Sequence, residues 1–146
     1  MKSFIVTFAF VIIAGLIPWG LADDAVMAAV PAHKAAQLTA GPELEVATDA
    51  FAIIRWTITN PGGTDLHYGI VHYGTDSKNL DQVAKSPNRR NPSHPVMNFR
   101  VRIMGLNSNT TYYYKVESAG AMDVSDGVSS PVRTFKMMSA SNARLR

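Results

Sequence analysis

The sequence predicts an all-β protein: one antiparallel sandwich of about seven strands, preceded by an apolar leader and a linker. Short runs rich in β-branched and aromatic residues alternate with Gly, Pro, Asn and Asp clusters, which is typical of antiparallel sandwiches. Residues 50–58 alternate as a half-buried strand does, with Ala52, Ile54, Trp56 and Ile58 on one face, although Ile53 makes the other face partly apolar too. The 146 residues allow one domain, and the lack of cysteine excludes a disulfide scaffold, a thiolate zinc site and a thiol nucleophile.

The first element is a hydrophobic leader over residues 1–22. Lys2 precedes an uncharged stretch, residues 3–22, that ends in Gly20 and Ala22, small residues suited to a cleavage site. A second candidate cut follows Ala28. The stretch is also long enough to cross a bilayer, so a cleaved signal peptide and an uncleaved anchor both stay open. Either form places the rest of the chain outside the cytoplasm, secreted, periplasmic or at the cell surface.

Residues 23–40 are rich in alanine and lack aromatic side chains, so they are predicted to be a flexible linker. Gly41-Pro42 marks the start of a domain predicted over residues 41–137, and residues 138–146 form a polar tail.

The strands are predicted in order from their alternation and their bounding turns. In the second strand, Trp56 lies on the face assigned to the core; in the third, the adjacent Ile70 and Val71 leave the inward side open by periodicity alone. In the fifth strand, apolar residues at odd positions oppose Arg100 and Arg102 at even ones. The predicted strands are residues 43–48, 50–58, 66–73, 82–85, 96–106, 112–118 and 132–137, with 86–95 as loop and 127–131 as turn.

The stretch from Leu106 to Tyr112 resembles fibronectin type III domains, in which a Leu, a turn and a Thr precede a Tyr. The resemblance implies that the Tyr112 hydroxyl bonds to the backbone a few residues upstream. It also implies that Trp56 is the core tryptophan of the second strand and Tyr73 the aromatic of the third. The complete set assigned to the core is Trp56, Val71, Tyr73, Leu106, Tyr112, Tyr114 and Val116.

A closer resemblance, over about residues 41–136, is to the N-terminal domain of purple acid phosphatases. It rests on Val71-His72-Tyr73-Gly74-Thr75, on Asn109-Thr110-Thr111-Tyr112 and on Thr134-Phe135-Lys136. In that family a larger second domain holds two metal ions, whereas the Asp residues here, Asp126 among them, are predicted to lie in turns. The sequence therefore predicts no catalytic residues, no cofactor and no enzyme activity, except through a separate catalytic partner.

Three histidines are candidate metal ligands or general bases. His67 and His72, flanked by Asp65 and Asp76, could ligate zinc. Their spacing of five on a strand directs the rings to opposite faces, so we expect no shared metal and a solvent-facing position for both. For His94, the phosphatase resemblance implies a structural hydrogen bond. No Gly-x-Ser-x-Gly elbow accompanies the serines, which disfavours a hydrolase.

A candidate binding surface combines cations with an aromatic ring: Arg89, Arg90, Arg100, Arg102 and Tyr113. These residues could contact acidic glycans, lipid headgroups or a protein, and the alternative is a solvated outer sheet face. Asn109-Thr110-Thr111 also fits a glycosylation acceptor. The net charge of +3 is too small to indicate nucleic acid.

Three functions follow from these patterns. The first is an exported, non-catalytic module that binds or spaces a protein or glycan outside the cytoplasm. The second is a stand-alone or truncated N-terminal domain of a phosphatase system. The third is a surface structural protein held in the membrane by an uncleaved leader. The sequence leaves the partner, the mature N-terminus and the oligomeric state undefined.

Overall fold

The structure, a computed structural model, describes residues 35–139, and the leader and most of the predicted linker and tail lie outside this range. Eight strands and one short 3₁₀ turn, Ala121–Asp123, follow each other along the chain. The strands are β1 (Leu38–Ala47), β2 (Phe51–Thr59), β3 (Leu66–Gly74), β4 (Gln82–Arg89), β5 (Val96–Met104), β6 (Thr111–Gly120), β7 (Ser125–Ser129) and β8 (Arg133–Lys136).

Two antiparallel sheets form the sandwich, which confirms the predicted fold class. One sheet has the order β1-β2-β5, and the other has the order β4-β3-β6-β7, with β8 also paired to β6. Both β7 and β8 pair with β6, β7 near its end at Glu117 and Ala119 and β8 near its start at Thr111 to Tyr114. They therefore act as one interrupted edge strand, broken at residues 130–132.

The core lies between the two sheets and is built mainly by alternation, although Ile53, on the other face of β2, is buried as well. In β2 the inward residues Ala52, Ile54, Trp56 and Ile58 are buried, and in β5 the odd-numbered Met97, Phe99, Val101 and Ile103 face them from the adjacent strand. In β3, Val71 is buried and Ile70 points outward, which decides the side that periodicity left open. All seven residues that the sequence assigns to the core are buried.

Gly69 shows how closely the two sheets approach at the tryptophan. The Trp56 ring stacks on Phe99 with ring centroids 5.2 Å apart. A Cβ added at Gly69 of the opposite sheet would lie 2.8 Å from Phe99 and 2.9 Å from Trp56. Any larger residue at this position would collide with the stacked pair, so glycine is required by packing.

The tyrosine implied by the fibronectin resemblance forms the expected corner. The Asn107 backbone N–H donates to the Tyr112 hydroxyl oxygen at 3.0 Å, across the turn that joins β5 to β6. The Tyr112 ring is buried and stacks on Phe135 with centroids 5.6 Å apart. The hydroxyl thus pins the turn while the ring fills the core.

Replacing Tyr112 with Phe is expected to lower the free energy of unfolding by about 1 kcal/mol, because the ring packing stays and one hydrogen bond is lost. Urea denaturation followed by circular dichroism measures the change. Tyr113→Phe, on the neighbouring outward residue, is the matched control. Equal losses in the two variants would contradict a stabilising role for the corner bond.

Three elements differ from the sequence prediction. Strand β1 begins at Leu38, inside the predicted linker, because Leu38 pairs with Ile58 and the Thr59 N–H donates to Gln37 O at 2.8 Å. Strand β4 continues to Arg89 through a predicted loop, since β4 is a sheet edge where Pro87 needs no N–H partner. Strand β7 was predicted as part of a turn.

The chain enters and leaves the sandwich at opposite ends. At the end we call the entry pole, Ala36 lies beside the β2–β3 loop (60–65), the β4–β5 loop (90–95) and the β6–β7 turn (121–124). At the exit pole, Met138 lies beside the β1–β2 turn (48–50) and the β5–β6 turn (105–110): its N–H donates to Thr48 O, and its carbonyl accepts from the Asn109 N–H.

Candidate functional site

The residues of the predicted basic surface do not form one patch. Arg100 and Arg102 lie on the outer face of the three-stranded sheet, whereas Arg89 ends β4 in the other sheet. Arg90 is folded inward: its guanidinium donates to Thr64 O at 3.0 Å and to Gly63 O at 3.3 Å, and its side chain is only 13% exposed. Arg90 therefore braces the β2–β3 loop instead of presenting charge.

The outer face of the three-stranded sheet is a neutralised ladder of ion pairs. Arg100 donates to both carboxylate oxygens of Glu45 at 2.7 and 2.8 Å. Arg55 pairs with Glu43 at 2.9 Å. A shallow depression of about 440 Å³ lies among these groups. The charged groups that line it, Glu43, Glu45, Arg55 and Arg100, already form ion pairs with one another. They therefore exert little net attraction on a charged ligand.

The Glu45–Arg100 pair shifts both of its groups toward their charged forms. The hydrogen bond from Arg100 lowers the pKa of the Glu45 carboxyl, and the same bond raises the pKa of the Arg100 guanidinium. Arg102 lies over the Phe51 ring, 3.9 Å from its centroid. Two of the predicted surface cations are thus occupied within the sheet itself.

The outer face of the five-stranded sheet carries a second charged cluster, centred on Glu117. Its carboxylate accepts from Lys115 Nζ at 2.8 Å and lies 3.0 Å from His72 Nε2. Tyr113 is half-buried on this same face, one alternation along β6 from Lys115. Near the β4 edge, Lys85 lies 4.1 Å above the Tyr68 ring, which covers one side of that aromatic surface.

Burial by itself raises the pKa of the Glu117 carboxyl. The hydrogen bond from Lys115 and the nearby charge of His72 together lower it by a larger amount, so the net pKa lies below its usual value. A carboxyl with a depressed folded pKa stabilises the fold above its unfolded pKa, and this contribution is lost as the pH falls through the folded value.

We therefore expect Glu117→Gln to lose less stability than the parent chain between neutral pH and pH values below about 4.3. The difference should not exceed about 1 kcal/mol, the scale of a partly exposed ion pair. Urea midpoints measured across this range test it, with Glu43→Gln as the control from the other sheet. A parallel acid decline in the parent and Glu117→Gln would contradict the sign.

A buried histidine–aspartate pair is the feature that the sequence interpretation missed. His67 was predicted to face solvent and Asp126 to lie in a turn, and both predictions are wrong because the two side chains are fully buried against each other. His67 Nδ1 lies 3.0 and 3.1 Å from the two Asp126 carboxylate oxygens, and Nε2 lies 2.9 Å from Thr64 O. His72 lies on the opposite face, as predicted.

The partners of His67 hold both of its ring nitrogens. A backbone carbonyl only accepts, so Nε2 donates to Thr64 O. Nδ1 lies against the two carboxylate oxygens of Asp126. Both side chains have no exposed area, so the pair has no route to a substrate. It ties β3 to β7 and to the β2–β3 loop.

His94 contributes through its backbone. The Asn60 side-chain amide donates to His94 O at 2.7 Å and to Asn91 O at 2.9 Å, which fastens the β4–β5 loop to the end of β2. The ring itself is exposed at the entry pole. The structural role implied for this residue is therefore carried by its carbonyl.

Across residues 35–139, no three His, Asp or Glu side chains come close enough to hold a metal ion together. Within the same range no helix is long and apolar enough to cross a membrane. The glycosylation motif residue Asn109 is exposed in the β5–β6 turn, with a left-handed backbone angle φ of 55°.

Comparisons with known proteins agree with the fold. Two solved structures of the sensor domain of the anti-sigma factor RsgI4 from Pseudobacteroides cellulosolvens are similar. A short form is 22% identical, with a TM-score of 0.50 over 73% of this chain and 97% of that one. A solution structure is 20% identical, with a TM-score of 0.47 over 71% and 74%. No curated protein matches the chain in sequence.

The family model described as "Purple acid Phosphatase, N-terminal domain" matches residues 45–137, most of the sandwich from β1 to the end of β8. The match includes the Tyr112 corner and the Trp56 core face, the same features that carried the sequence resemblance. The chain therefore belongs to the purple acid phosphatase N-terminal domain family, whose fold is fibronectin type III-like.

Proposed function

We propose that this chain is an exported, non-catalytic module that holds a protein or glycan partner at a defined distance from its point of attachment. The observation that supports a spacer role is the position of the two poles. The chain enters at Ala36 and exits at Met138, at opposite ends of the sandwich. The nine residues of β2 span about 30 Å between those ends.

The surface chemistry supports binding through shape and local contacts, not through a strong electric field. Most outward charges are matched within the sheets, as in the Glu45–Arg100 and Glu117–Lys115 pairs. Paired surface charges add little long-range attraction. A neutral, rigid sandwich with its ends far apart suits a connector better than a steering surface for an ionic substrate.

The absence of catalysis is part of the proposal. Of the two histidine–carboxylate pairs within residues 35–139, His72–Glu117 lies on an outer sheet face with Lys115 bound to the same carboxylate, and His67–Asp126 is sealed from solvent. A general base must reach the proton that it removes, so this pair is structural. Only the N-terminal domain family, and not a catalytic domain, is matched by residues 45–137.

The purified full chain should therefore release no phosphate from p-nitrophenyl phosphate when supplied with Fe³⁺, Zn²⁺ or Mn²⁺. Matched assays of buffer and metal alone set the background. Turnover that stays with the protein through two purification steps would overturn the non-catalytic assignment.

Export is tested separately, by fusing β-lactamase after Arg146 and measuring ampicillin resistance in a bacterial host. The proposal expects resistance that is lost when residues 3–22 are deleted. Mass spectrometry of the recovered fusion then decides the mature end. A start at Asp23 or Ala29 supports the cleaved, secreted form, an intact Met1 or Lys2 supports the surface-anchored form, and a sensitive host contradicts export.

The alternative function is an accessory domain for a separate metallophosphoesterase, and the family match favours it. In that case the full chain should form a stable complex with a catalytic subunit and change its activity or stability. Co-purification from the native envelope with phosphatase activity in the same fraction supports this alternative. Complete separation of the activity from the chain leaves the spacer role.

A further inference from the structure

The entry pole carries two solvent-exposed apolar side chains. Met122 is 90% exposed and Val124 is 53% exposed, both in the turn that joins β6 to β7. Single exposed apolar residues are common on protein surfaces. Here Met122 and Val124 flank Asp123 at the tip of the β6–β7 hairpin, so the two apolar side chains lie close together on the surface of the entry pole.

The turn is braced, so Met122 is held outward. The Gly120 N–H donates to Val124 O at 2.8 Å and closes the turn, and the Ala121 N–H donates to Thr64 Oγ1 at 3.4 Å. Met122 has a φ of 61° and Asp123 a φ of 58°, left-handed conformations that are uncommon outside glycine. The neighbouring Asp123 is tied down by an ion pair with Lys85.

The entry pole also carries a cation without an ion-pair partner among the described residues. Asp65 and Asp123 are paired with Arg90 and Lys85, whereas Arg89, at the end of β4, is exposed and has no ion pair with any residue from 35 to 139.

The chain arrives at the same pole from its apolar leader. The uncharged residues 3–22 lie upstream, and only residues 23–34 separate them from Ala35. Fully extended, that connection reaches about 40 Å. If residues 3–22 stay in a bilayer, as in the anchored form of the proposed function, the entry pole is the end of the sandwich nearest the headgroups.

We propose that the entry pole docks on the lipid surface, with Met122 and Val124 among the headgroups and Arg89 against anionic phosphates. This inference rests on the anchored form of the proposed function. Two apolar side chains and one unpaired cation bind a bilayer weakly on their own. A tether of twelve residues raises the local concentration of the pole at the membrane, so a weak contact suffices.

Docking would fix the orientation of the module as well as its distance. The exit pole would then point away from the membrane surface. The residues after β8 would emerge on the side that is open to a partner. The same contact therefore aligns the long axis of the sandwich with the membrane normal.

The absence of cysteine permits a direct test with single-cysteine variants of the full chain. Met122→Cys and, at the exit pole, Ser108→Cys are each labelled with a nitrobenzoxadiazole dye. The chains are reconstituted into vesicles of equal parts phosphatidylcholine and phosphatidylglycerol. We expect a blue-shifted emission, quenched by lipid-borne spin labels, at position 122, and water-like emission at position 108.

Water-like emission at position 122 would overturn the docking proposal, and so would lipid-like emission at both positions, which would mean that the sandwich lies flat. In the Met122→Cys background, Val124→Asp with Arg89→Glu should return the dye to a water-like signal, whereas the exit-pole control Lys78→Glu should not. A retained lipid signal in the first variant contradicts the assigned contacts. If the β-lactamase fusion is exported but the dye at position 122 gives water-like emission, the docking proposal is rejected. The proposed function as an exported module is then still supported.

Discussion

Replacing Trp56 with alanine is expected to lower the free energy of unfolding by about 3 to 5 kcal/mol, the typical cost of truncating a buried aromatic side chain. Trp56 is only 2% exposed, stacks on Phe99 and closes over Gly69 of the opposite sheet. Its removal leaves a cavity at the point where the two sheets touch. Urea denaturation of the full chain by circular dichroism measures the loss without depending on tryptophan fluorescence.

Two further variants separate packing from other causes. The Trp56 indole N–H has no hydrogen-bond acceptor among the described residues, so Trp56→Phe loses packing area but no bond and should cost less than about 2 kcal/mol. Phe51→Ala, which removes a partly buried ring from the outer face of the same strand, is the control and should cost less. An unchanged urea midpoint for Trp56→Ala would show that this face of β2 is not the core.

The elements that sequence predicts well are those whose side chains alternate cleanly. In β5 every second residue is apolar, as it is from Ile54 to Ile58 in β2, and the structure buries those residues; Ile53, on the other face of β2, is buried as well. One face of each strand must pack on the other sheet, so period-two alternation is enough to place Trp56 and Phe99 inside. The corner at Tyr112 was predictable for a different reason, because a local turn and a ring six residues after Leu106 form a short-range motif.

The elements that sequence predicts poorly depend on distant partners. Strand β7 contains Gly127 and two serines, which indicate a turn locally, yet its backbone pairs with β6. Gly127 is needed there because Ala35 lies within 3.1 Å of where its Cβ would be. No local pattern reports that contact. The segment at Ala35 and Ala36, about 90 residues earlier in the chain, thus packs beside β7 and accounts for its glycine.

Candidate surfaces suffer from the same limit. Arg100 is recognisable as an outward cation from alternation, but its partner Glu45 lies 55 residues earlier in the chain. A basic strand in the sequence thus became a neutral sheet face in the structure. Conversely, the exposed Met122 could be located only once the β6–β7 turn was defined, because an isolated methionine is ordinarily assigned to a core.

Asp126→Asn is the second large expected effect, a loss of about 3 to 5 kcal/mol in the free energy of unfolding. Asp126 and His67 are both fully buried, 59 residues apart in sequence, and lie 3.0 Å from each other. The introduced amide cannot neutralise a charged imidazole ring, and beside a neutral ring its N–H can make only an uncharged hydrogen bond to Nδ1. Either outcome replaces a charge-assisted contact at a site where water is excluded, which has a high cost.

The loss should be local in its first effects. The Asp126 carbonyl accepts the Ala36 N–H at 2.8 Å, so weakening β7 also loosens the entry of the chain into β1. Faster hydrogen exchange at Ala36 and in β7, with β2 and β5 still protected, is the expected signature. Asp81→Asn, an exposed replacement of the same kind, is the control. A double-mutant cycle with His67→Gln isolates the pair, and a coupling energy near zero would mean that the two side chains are merely buried side by side.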